Sequence, residues 1–478
     1  MEDGYRRLYI NGELRDADGG RRRTVVCPAT EEPAGEIAWA TQRDALAALE
    51  SARQAFRSWS KTPLEERSRW MRLLREAVIA REEDLRLAVM NEMGKPWDAT
   101  AEDYQTVVNS LEWYAEEMRR NRDLVLPDVQ GSHRHEVITQ PAGVVGAFLA
   151  WNFPLLNVGF KLGPALAAGC SIILRPSSSS PLSAYVLGEI CAQVHFPPGV
   201  INILCGPADE VAQTISTSTI PRVLTMIGSS ETGRRLIAQS ATSVKRLSME
   251  LGGNAPVLVF EDADVETAAR ETAALKFGNC GQICVAPNRI FVHEKVYERF
   301  TALFLEHARA VKVGFGRHSG ATMGPLIDAR SRERVEGIVA SAIDAGAKLS
   351  SGGARPPHLS KGYFFEPTVL EAVTPSMRVF REEIFGPVAA LMRFREEREV
   401  LDLANDTEYG LVAYLHTRDG ARARRVAEEL EFGEVMVNGF KYAIDLPHGG
   451  IKESGIGKDC SQYALEDYLI RKRITTRT

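Results

Sequence analysis

The sequence predicts an α/β fold with two doubly wound α/β domains and smaller appendages. The chain has 478 residues, enough for two or three domains of ordinary size. From about residue 137 onward, short apolar runs alternate with helical stretches, and this alternation occurs in two successive blocks. Such alternation is typical of parallel sheets covered by helices, which bind nucleotides at the carboxyl ends of their strands.

About 120 residues precede this alternation, and they are predicted to form a hairpin followed by helices. Apolar Leu8–Ile10 leads into Asn11-Gly12, a strong hairpin-turn pair, and the returning strand is predicted at 24–26. Apolar residues at helical spacing predict amphipathic helices near 42–58, 64–92 and 98–120.

The two alternating blocks divide near residue 251. In the first block, strands are predicted at 143–149, 171–174, 200–204, 222–227 and 245–250, with helices at 160–168, 183–194, 209–217 and 232–240. In the second block, strands are predicted at 256–260, 288–292, 365–369, 388–394 and 434–438, with helices at 264–279, 295–311, 329–345, 396–407 and 418–430. The glycine- and proline-rich stretch 351–363 is expected to be a surface loop.

The composition favours a globular protein without nucleic-acid or membrane partners. Hydrophobic residues make up 44% and charged residues 25%, which excludes disordered and collagen-like chains. A net charge of −5 provides no overall attraction for nucleic acid or anionic membranes. The charge-free stretch 137–160 is interrupted by Pro141, Asn152, Pro154 and Asn157, so we interpret it as strand, loop and buried helix.

Cysteine and histidine usage predicts a cytoplasmic protein without a metal site. Seven cysteines at scattered spacings do not suggest a disulfide framework, and neither a CxxC nor an HExxH motif is present. The nine histidines show neither metal-ligand spacing nor a triad context, and we expect most of them on the surface. The residues after Met1 carry charges without an apolar core, so no secretory signal is predicted.

Three residues in loops or at strand ends are candidates for catalysis, each with an ordinary structural alternative. Cys284 follows Gly281 in a glycine-containing loop and is either a nucleophile or an inert buried thiol. Glu250 ends a predicted strand and is either a general base or a solvated or capping carboxylate. The amide of Asn152 either stabilises an oxyanion or satisfies backbone groups of its own loop.

Gly228-Ser229 lies between a predicted strand and a predicted helix. The surrounding sequence is not GxGxxG, and it lacks the Lys-Ser/Thr pair of a Walker A motif, so an ATP P-loop is not predicted. A glycine-bounded turn of this kind still directs the first amide groups of a helix at a bound pyrophosphate.

Seven segments together resemble the aldehyde dehydrogenase superfamily. They are Trp151-Asn152-Phe153-Pro154, Gly163-Pro164-Ala165-Leu166-Ala167-Ala168-Gly169, Gly228-Ser229, Glu250-Leu251-Gly252-Gly253, Gly281-Gln282-x-Cys284, Glu383-Ile384-Phe385-Gly386-Pro387 and Gly449-Gly450-x-Lys452-x-Ser454-Gly455. Their order over about 300 residues is that of the family, and the resemblance covers nearly the whole chain. It implies oxidation of an aldehyde to its carboxylic acid with NAD(P)+.

The resemblance also implies a catalytic role for each candidate. Cys284 would attack the aldehyde as a thiolate, while Asn152 and the Cys284 backbone N–H would hold the developing oxyanion. Hydride transfer to the nicotinamide would leave a thioester, which water activated by Glu250 would hydrolyse. Lys161 would polarise the surroundings of Glu250.

Two alternatives to this reaction remain at the level of sequence. Members that acylate coenzyme A commonly lack the glutamate found here as Glu250, so a CoA-acylating semialdehyde dehydrogenase is disfavoured. A catalytically silent member with a binding or structural role is opposed by the presence of Cys284, Asn152 and Glu383 together with Glu250.

For the dinucleotide, the resemblance implies contacts at both ends. Glu383 would hold the nicotinamide ribose and Phe385 would pack beside the nicotinamide ring; Trp151, Gly228 and Ser229 belong to the same site.

The adenosine end departs from the family pattern, because the usual Lys-Pro-Ala/Ser-Glu is here Arg175-Pro176-Ser177-Ser178. Serine at 178 removes the carboxylate that would repel a 2′-phosphate, and Arg175 is suited to pair with that phosphate. We therefore expect NADP+, or both dinucleotides, rather than strict use of NAD+.

The substrate is expected to be a medium-sized semialdehyde, aminoaldehyde or aromatic aldehyde. Mostly apolar residues match the family's substrate tunnel, namely Phe153, Leu156, Asn157, Phe160, Ile283 and Val285. Glu102 and Asp103 would suit an amine, whereas Lys441 and His448 would suit an acid, and the sequence leaves both possibilities open.

The resemblance implies three structural parts. Residues 1–122 and 143–251 would form the Rossmann-like dinucleotide-binding domain, and 252–445 the catalytic domain. Residues 123–142 and 465–478 would form an oligomerisation ribbon whose open edges a second subunit covers, which predicts a homodimer or homotetramer.

Cys280, four residues before Cys284, is atypical for the family. It is either a partner for a regulatory disulfide with Cys284 or a small packing residue, and the second is expected because disulfide geometry is demanding.

Overall fold

Two large sheets organise the chain in the computed structural model, which describes residues 4–120 and 123–478. The first sheet runs in the order Gly455–Ile456, Arg246–Glu250, Pro221–Ile227, Val144–Phe148, Ser171–Arg175, Ile201–Ile203, Leu8–Ile10 and Glu13–Arg15. The second runs in the order Lys348–Ser351, Thr368–Glu371, Val388–Phe394, Pro287–His293, Ala255–Val259, Val412–His416 and Glu434–Val437. Neighbouring central strands of both sheets pair in parallel, so the predicted α/β fold class is confirmed.

Helices connect and cover these strands. In chain order they are Gln42–Trp59, Leu64–Ala80, Glu82–Met93, Ala101–Glu117, Pro154–Ala168, Leu182–Gln193, Gln213–Thr217, Ser230–Ser240, Val265–Phe277, Tyr297–Ala310, Ala329–Asp344, Arg378–Arg381, Glu397–Asn405, Gly420–Glu429 and Ser461–Tyr468. A π-helical turn at Ala208–Ala212 precedes the helix Gln213–Thr217. In the described ranges no helix is both long enough and apolar enough to cross a membrane.

Three smaller sheets complete the fold. Tyr5–Arg6, Pro33–Ala38 and Arg22–Val26 form one, and Tyr409–Gly410 pairs with Ile451–Lys452 to form another. The third is an antiparallel ribbon of Leu124–Leu126, His133–Pro141 and Leu469–Arg477.

Four local predictions need correction. Leu8–Ile10 pairs across the Asn11-Gly12 turn with Glu13–Arg15, whereas Arg22–Val26 pairs with Pro33–Ala38. The helix predicted at 64–92 is broken at Arg81, whose φ of −113° leaves the helical range. The strands Val412–His416 and Lys348–Ser351 were absent from the prediction. Residues 461–468 are helical, so the final strand begins at Leu469 and not near 465.

Two separate hydrophobic cores underlie the two large sheets. One contains buried residues from Tyr5 to Leu251 together with 464–469, and the other contains buried residues from Ala255 to Phe432. These cores support the proposed division into domains, which remains a prediction. The boundary placed at 122 lies outside the described residues.

A buried ion pair fixes the helix Pro154–Ala168 to the preceding helical layer. Lys95 Nζ lies 2.6 Å from Asp103 Oδ2, and the two side chains are 2% and 0% exposed. The other carboxylate oxygen of Asp103 accepts hydrogen bonds from the backbone N–H groups of Leu155 and Leu156 at 3.3 and 3.4 Å. Since these amides belong to the first helical turn, the carboxylate satisfies donors that have no partner within the helix.

We predict that Lys95→Met lowers the free energy of unfolding by about 3–5 kcal/mol, because it leaves the buried Asp103 carboxylate without its cation. The matched control is Lys348→Met, which removes a lysine whose side chain is 70% exposed and 2.9 Å from Glu371. That control should change stability by at most about 1 kcal/mol. Urea unfolding followed by circular dichroism measures the stability of both variants. Equal stability of the two would show that the Lys95–Asp103 ion pair does not stabilise the fold.

Candidate active site

A single large cavity of about 1730 Å³ contains most of the predicted site residues. Its walls include the three catalytic candidates Cys284, Glu250 and Asn152. They also include the predicted dinucleotide residues Trp151, Arg175, Ser177, Gly228, Ser229, Glu383 and Phe385. The predicted substrate residues Phe153, Leu156, Asn157, Phe160, Ile283 and Val285 complete the set. Lys161 and Ser178 are the two predicted residues that do not line this cavity.

The loop before Cys284 has an unusual backbone that follows from close packing. Asn279, Cys280 and Gly281 have φ values of 47°, 58° and 68°, so three consecutive residues are left-handed. A Cβ atom at Gly281 would lie 2.1 Å from the carbonyl oxygen of Gly386, which excludes every residue with a side chain. This tight turn brings the chain to the cavity wall, where Cys284 is partly exposed.

Glu250 faces Cys284 from the end of the strand Arg246–Glu250. The turn that follows passes so close to Cys284 that a Cβ atom at Gly253 would lie 2.2 Å from the Cys284 carbonyl oxygen. Glu250 is 3% exposed, and its Oε1 has no hydrogen-bond partner in the described ranges. An unpartnered buried carboxylate oxygen beside a thiol is placed to accept a proton from the thiol or from water.

Asn152 contacts the cysteine loop directly. Its Nδ2 donates to the carbonyl oxygen of Gln282 at 3.1 Å, and its Oδ1 accepts from Asn157 Nδ2 at 3.4 Å. Gln282 is itself anchored, because its Oε1 accepts from the backbone N–H of Ile327 at 2.9 Å. The amide of Asn152 is therefore held at the cavity wall, and its role at an oxyanion stays a prediction.

His448 belongs to this cluster and was not predicted as a catalytic residue. A carboxylate oxygen of Glu250, Sγ of Cys284 and a ring nitrogen of His448 all lie within 4.8 Å of one another. His448 Nε2 is 3.7 Å from Glu250 Oε1, and Nδ1 is 2.8 Å from Glu434 Oε1. The expectation that no histidine has a triad context is therefore wrong for His448, because the fold joins residues that are far apart in sequence.

Within this cluster, burial and the neighbouring side chains shift the pKa of Cys284, and that of His448, in opposite directions. Burial raises the pKa of the Cys284 thiol and the Glu250 carboxylate raises it further, while a hydrogen bond from His448 lowers it. Burial works against a charged imidazole, yet the Glu434 carboxylate, together with Cys284 and Glu250, holds the pKa of His448 well above its ordinary range. The carboxylates near the ring thus favour its protonated form.

Lys161 is buried away from the cavity wall. Its Nζ lies 2.6 and 2.7 Å from the two carboxylate oxygens of Asp459, and both side chains are almost fully buried. The lysine charge is thus directed at Asp459, so any influence of Lys161 on Glu250 passes through that ion pair.

The other end of the cavity has features that suit a dinucleotide. The helix Ser230–Ser240 begins beside the cavity, with Ser229 as its capping residue. Glu383 Oε1 accepts from Gly253 N–H at 2.9 Å, and burial raises the pKa of Glu383 to about 7. Trp151 and Phe385 meet edge to face at 5.3 Å between ring centroids. The helix N-terminus suits a pyrophosphate, and the carboxylate suits the hydroxyl groups of a ribose. The two aromatic side chains suit a flat heteroaromatic ring.

Arg175 is the basic residue of the predicted adenosine end. Its Nη2 donates to the carbonyl oxygen of Gly206 at 3.0 Å, whereas its buried Nε has no hydrogen-bond partner among the residues described. Ser177 lines the cavity with it, and Ser178 follows in the same turn without reaching the wall. The unpartnered guanidinium donor fits an anionic group at this end.

The predicted substrate residues form a largely aromatic and apolar branch of the cavity. Phe153 lies under Lys95, whose Nζ is 3.8 Å from the ring centroid, and Phe160 is 5.9 Å from the His448 ring. Glu102 lines this branch, whereas Asp103 is bound to Lys95. The suggestion that Asp103 attracts an amine is therefore wrong, because its charge is already neutralised inside the protein.

Comparison with known proteins gives a consistent result. Residues 14–474 match the aldehyde dehydrogenase family. The chain is 40% identical over 462 residues to a glutarate-semialdehyde dehydrogenase of Pseudomonas putida, covering 96% of this chain and 95% of that protein. It is 39% identical over 461 residues to an NADP+-dependent succinate-semialdehyde dehydrogenase of Escherichia coli, with 96% and 95% covered.

Among solved structures, a succinate-semialdehyde dehydrogenase from Burkholderia pseudomallei superimposes with a TM-score of 0.97 at 41% identity, covering 99% of this chain and 98% of that one. Sequence and structure therefore agree over nearly the full length. The chain belongs to the aldehyde dehydrogenase family.

Proposed function

We propose that the protein oxidises a medium-sized aldehyde to its carboxylic acid with NADP+ or NAD+, through a thiohemiacetal and a thioester on Cys284. The observation that carries this proposal is the meeting of Cys284, Glu250 and Asn152 at one wall of a cavity that residues suited to a dinucleotide also line. A bound nicotinamide dinucleotide would supply the hydride acceptor. The chain's own residues supply the nucleophile, the oxyanion site and the base.

In the first half-reaction, Cys284 Sγ forms a bond to the aldehyde carbon. The thiol proton passes to the carboxylate of Glu250 and leaves to solvent, and the carbonyl oxygen becomes an oxyanion. The Asn152 amide and the Cys284 backbone N–H stabilise that negative charge. When the oxyanion collapses to a carbonyl, the C–H bond of the former aldehyde would break, its hydrogen would leave as hydride to the bound dinucleotide, and a thioester would remain on Cys284. Because the Asn152 side chain is already held by Gln282, it needs little rearrangement when the charge develops.

In the second half-reaction, Glu250 removes a proton from a water molecule as the water oxygen attacks the thioester carbon. The C–S bond breaks, the Cys284 thiolate leaves, and the carboxylic acid is released. Oε1 of Glu250 is buried and accepts no hydrogen bond from the residues described, with His448 Nε2 3.7 Å away. This supports the role, since a base must have a lone pair free for the incoming water.

The presence of Glu250 favours hydrolysis over acyl transfer to coenzyme A. A catalytically silent protein is disfavoured because the nucleophile, the base and the oxyanion donor are all placed at one wall of the cavity. The hydrolytic and the CoA-acylating reactions differ in product. Hydrolysis forms a carboxylic acid without coenzyme A, whereas acyl transfer forms a thioester of coenzyme A.

For the substrate, we propose a medium-sized ω-aminoaldehyde or acidic semialdehyde. The carboxylates Asp98, Glu102 and Asp445 line the cavity, and Lys95, Lys441 and His448 line it as well. Either a cationic or an anionic substrate group would therefore meet an opposite charge. The similarity to glutarate- and succinate-semialdehyde dehydrogenases favours the acidic class, and a substrate screen with both classes separates them.

We also propose a homodimer or homotetramer in the cytoplasm. The ribbon exposes apolar side chains, including Leu124 at 50% and Val125 at 65% exposure, and its edge strands are open to pairing. All seven cysteines are free, as is usual in a reducing compartment.

Cys284→Ala is expected to abolish turnover while leaving dinucleotide binding unchanged, because the substitution removes the atom that bonds to the substrate. Absorbance of the reduced nicotinamide measures turnover, and isothermal titration calorimetry measures binding. The matched control is Cys280→Ala, which removes a buried thiol of the same loop and should retain activity. Steady oxidation by Cys284→Ala would refute the nucleophile.

Glu250→Gln is expected to form one equivalent of reduced dinucleotide, more slowly than the unaltered enzyme because solvent must take the thiol proton directly. Turnover should then slow at least 100-fold further at the thioester, since general-base catalysis contributes about 10²–10⁴ to rate. Stopped-flow absorbance measures the burst and the steady phase. Full steady turnover by this variant would exclude Glu250 as the base for hydrolysis.

Ser178→Glu is expected to raise the KM for NADP+ about tenfold with little change for NAD+, because the new carboxylate repels a 2′-phosphate. Arg175→Gln should shift the preference in the same direction. An unchanged ratio of kcat/KM for the two dinucleotides in both variants would show that this turn does not contact the adenosine ribose.

A further inference from the structure

His448 and Glu434 form a buried charged pair that the proposed reaction does not use. His448 is 8% exposed and precedes the strand Ile451–Lys452, and Glu434 begins the strand Glu434–Val437. Glu434 Oε1 lies 2.8 Å from His448 Nδ1 and also accepts from the Gly449 backbone N–H at 3.0 Å. The carboxylate of Glu434 is therefore the ion-pair partner beside Nδ1 of the ring.

The ring is oriented by its neighbours as well as by the ion pair. Phe160 and Tyr442 lie 5.9 and 6.0 Å from it between centroids, and they restrict it from two sides. Tyr442 is in turn hydrogen-bonded to Tyr414 at 2.6 Å between hydroxyl oxygens. Nδ1 lies beside Glu434 and Nε2 lies beside Glu250, so the ring stands between the two carboxylates.

We propose that His448, oriented and kept positively charged by Glu434, is the cation that stabilises the thiolate of Cys284. This inference rests on Cys284 being the nucleophile. Buried thiolates need such a partner, because a low-dielectric site disfavours the free anion and a neighbouring imidazolium lowers the thiol pKa. Glu250 does the opposite, since its carboxylate raises the pKa of Cys284.

The surroundings of His448 contain more carboxylates than cations. The charged or titratable groups that face it or its partner Glu434 are Glu434, Glu250, Cys284, Tyr414, Tyr442, Asp459, Cys460 and Lys458. Asp459 is neutralised by Lys161, so Glu434 and Glu250 are the carboxylates left to balance the ring. Two carboxylates around one imidazole favour its protonated form.

The proton balance is simple. The Cys284 thiol gives its proton to Glu250 and then to solvent, and the imidazolium keeps both of its protons throughout. When Sγ bonds to the aldehyde carbon, the negative charge moves from sulfur to the oxyanion. His448 therefore lowers the free energy of the thiolate without itself transferring a proton, and its removal should appear first in the ionisation of the thiol.

The test is the pH dependence of Cys284 alkylation by iodoacetamide in the full-length protein without dinucleotide. The variants are His448→Phe, which keeps an aromatic ring; His448→Asn, which keeps polarity; and Glu434→Gln, which keeps size and hydrogen bonding. The control is His416→Gln, since His416 is also a buried histidine but does not line the cavity. The rate that disappears in Cys284→Ala defines the signal from Cys284.

We expect both His448 variants to raise the apparent thiol pKa by about one unit or more and to slow alkylation at pH 7 about tenfold. Glu434→Gln should give a smaller shift in the same direction, and His416→Gln none. An unchanged pH profile in His448→Asn and Glu434→Gln, with dinucleotide binding intact, would overturn the proposal even if His448→Phe fails to fold. Steady aldehyde oxidation by Cys284→Ala would instead refute the nucleophile itself, on which this inference rests.

Discussion

The close contact between two turns, one from each large sheet, is the constraint on which the site depends. The turn after Glu250 touches the backbone of Cys284 at Gly253, and the loop before Cys284 touches the backbone of Gly386 at Gly281. Neither contact leaves room for a Cβ atom. Base and nucleophile therefore come together because the backbones themselves are in contact, and side-chain flexibility contributes little to their placement.

Buried charge is the second feature that shapes the molecule. Ion pairs at Lys95–Asp103 and Lys161–Asp459 neutralise carboxylates within the protein, and both lie close to the helix that follows Asn152. Near the thiol the balance differs, because His448 stands between Glu434 and Glu250. The first two pairs position helices and loops, whereas the third sets an imidazole between two carboxylates beside the thiol, from which we infer that it stabilises the thiolate.

The sequence predicted the fold class and the residues that meet at the cavity wall, since Cys284, Glu250 and Asn152 lie in short motifs with a recognisable order. It did not reveal His448 with Glu434, because their partnership depends on which loops meet in space. Helical periodicity continues through Arg81, so it could not show the break there. The strand Val412–His416 was missed because four apolar residues followed by a histidine suit a buried helix as well as a strand.

The central claim is that the substrate becomes covalently attached to Cys284 during turnover. The most direct test is mass spectrometry of the peptide that contains Cys284, after acid quenching of the enzyme during oxidation of a reactive aldehyde. The account predicts an adduct on Cys284 with the mass of the aldehyde less two hydrogens, as a thioester requires. Turnover with no adduct on this peptide, or with an adduct on another cysteine, would contradict it.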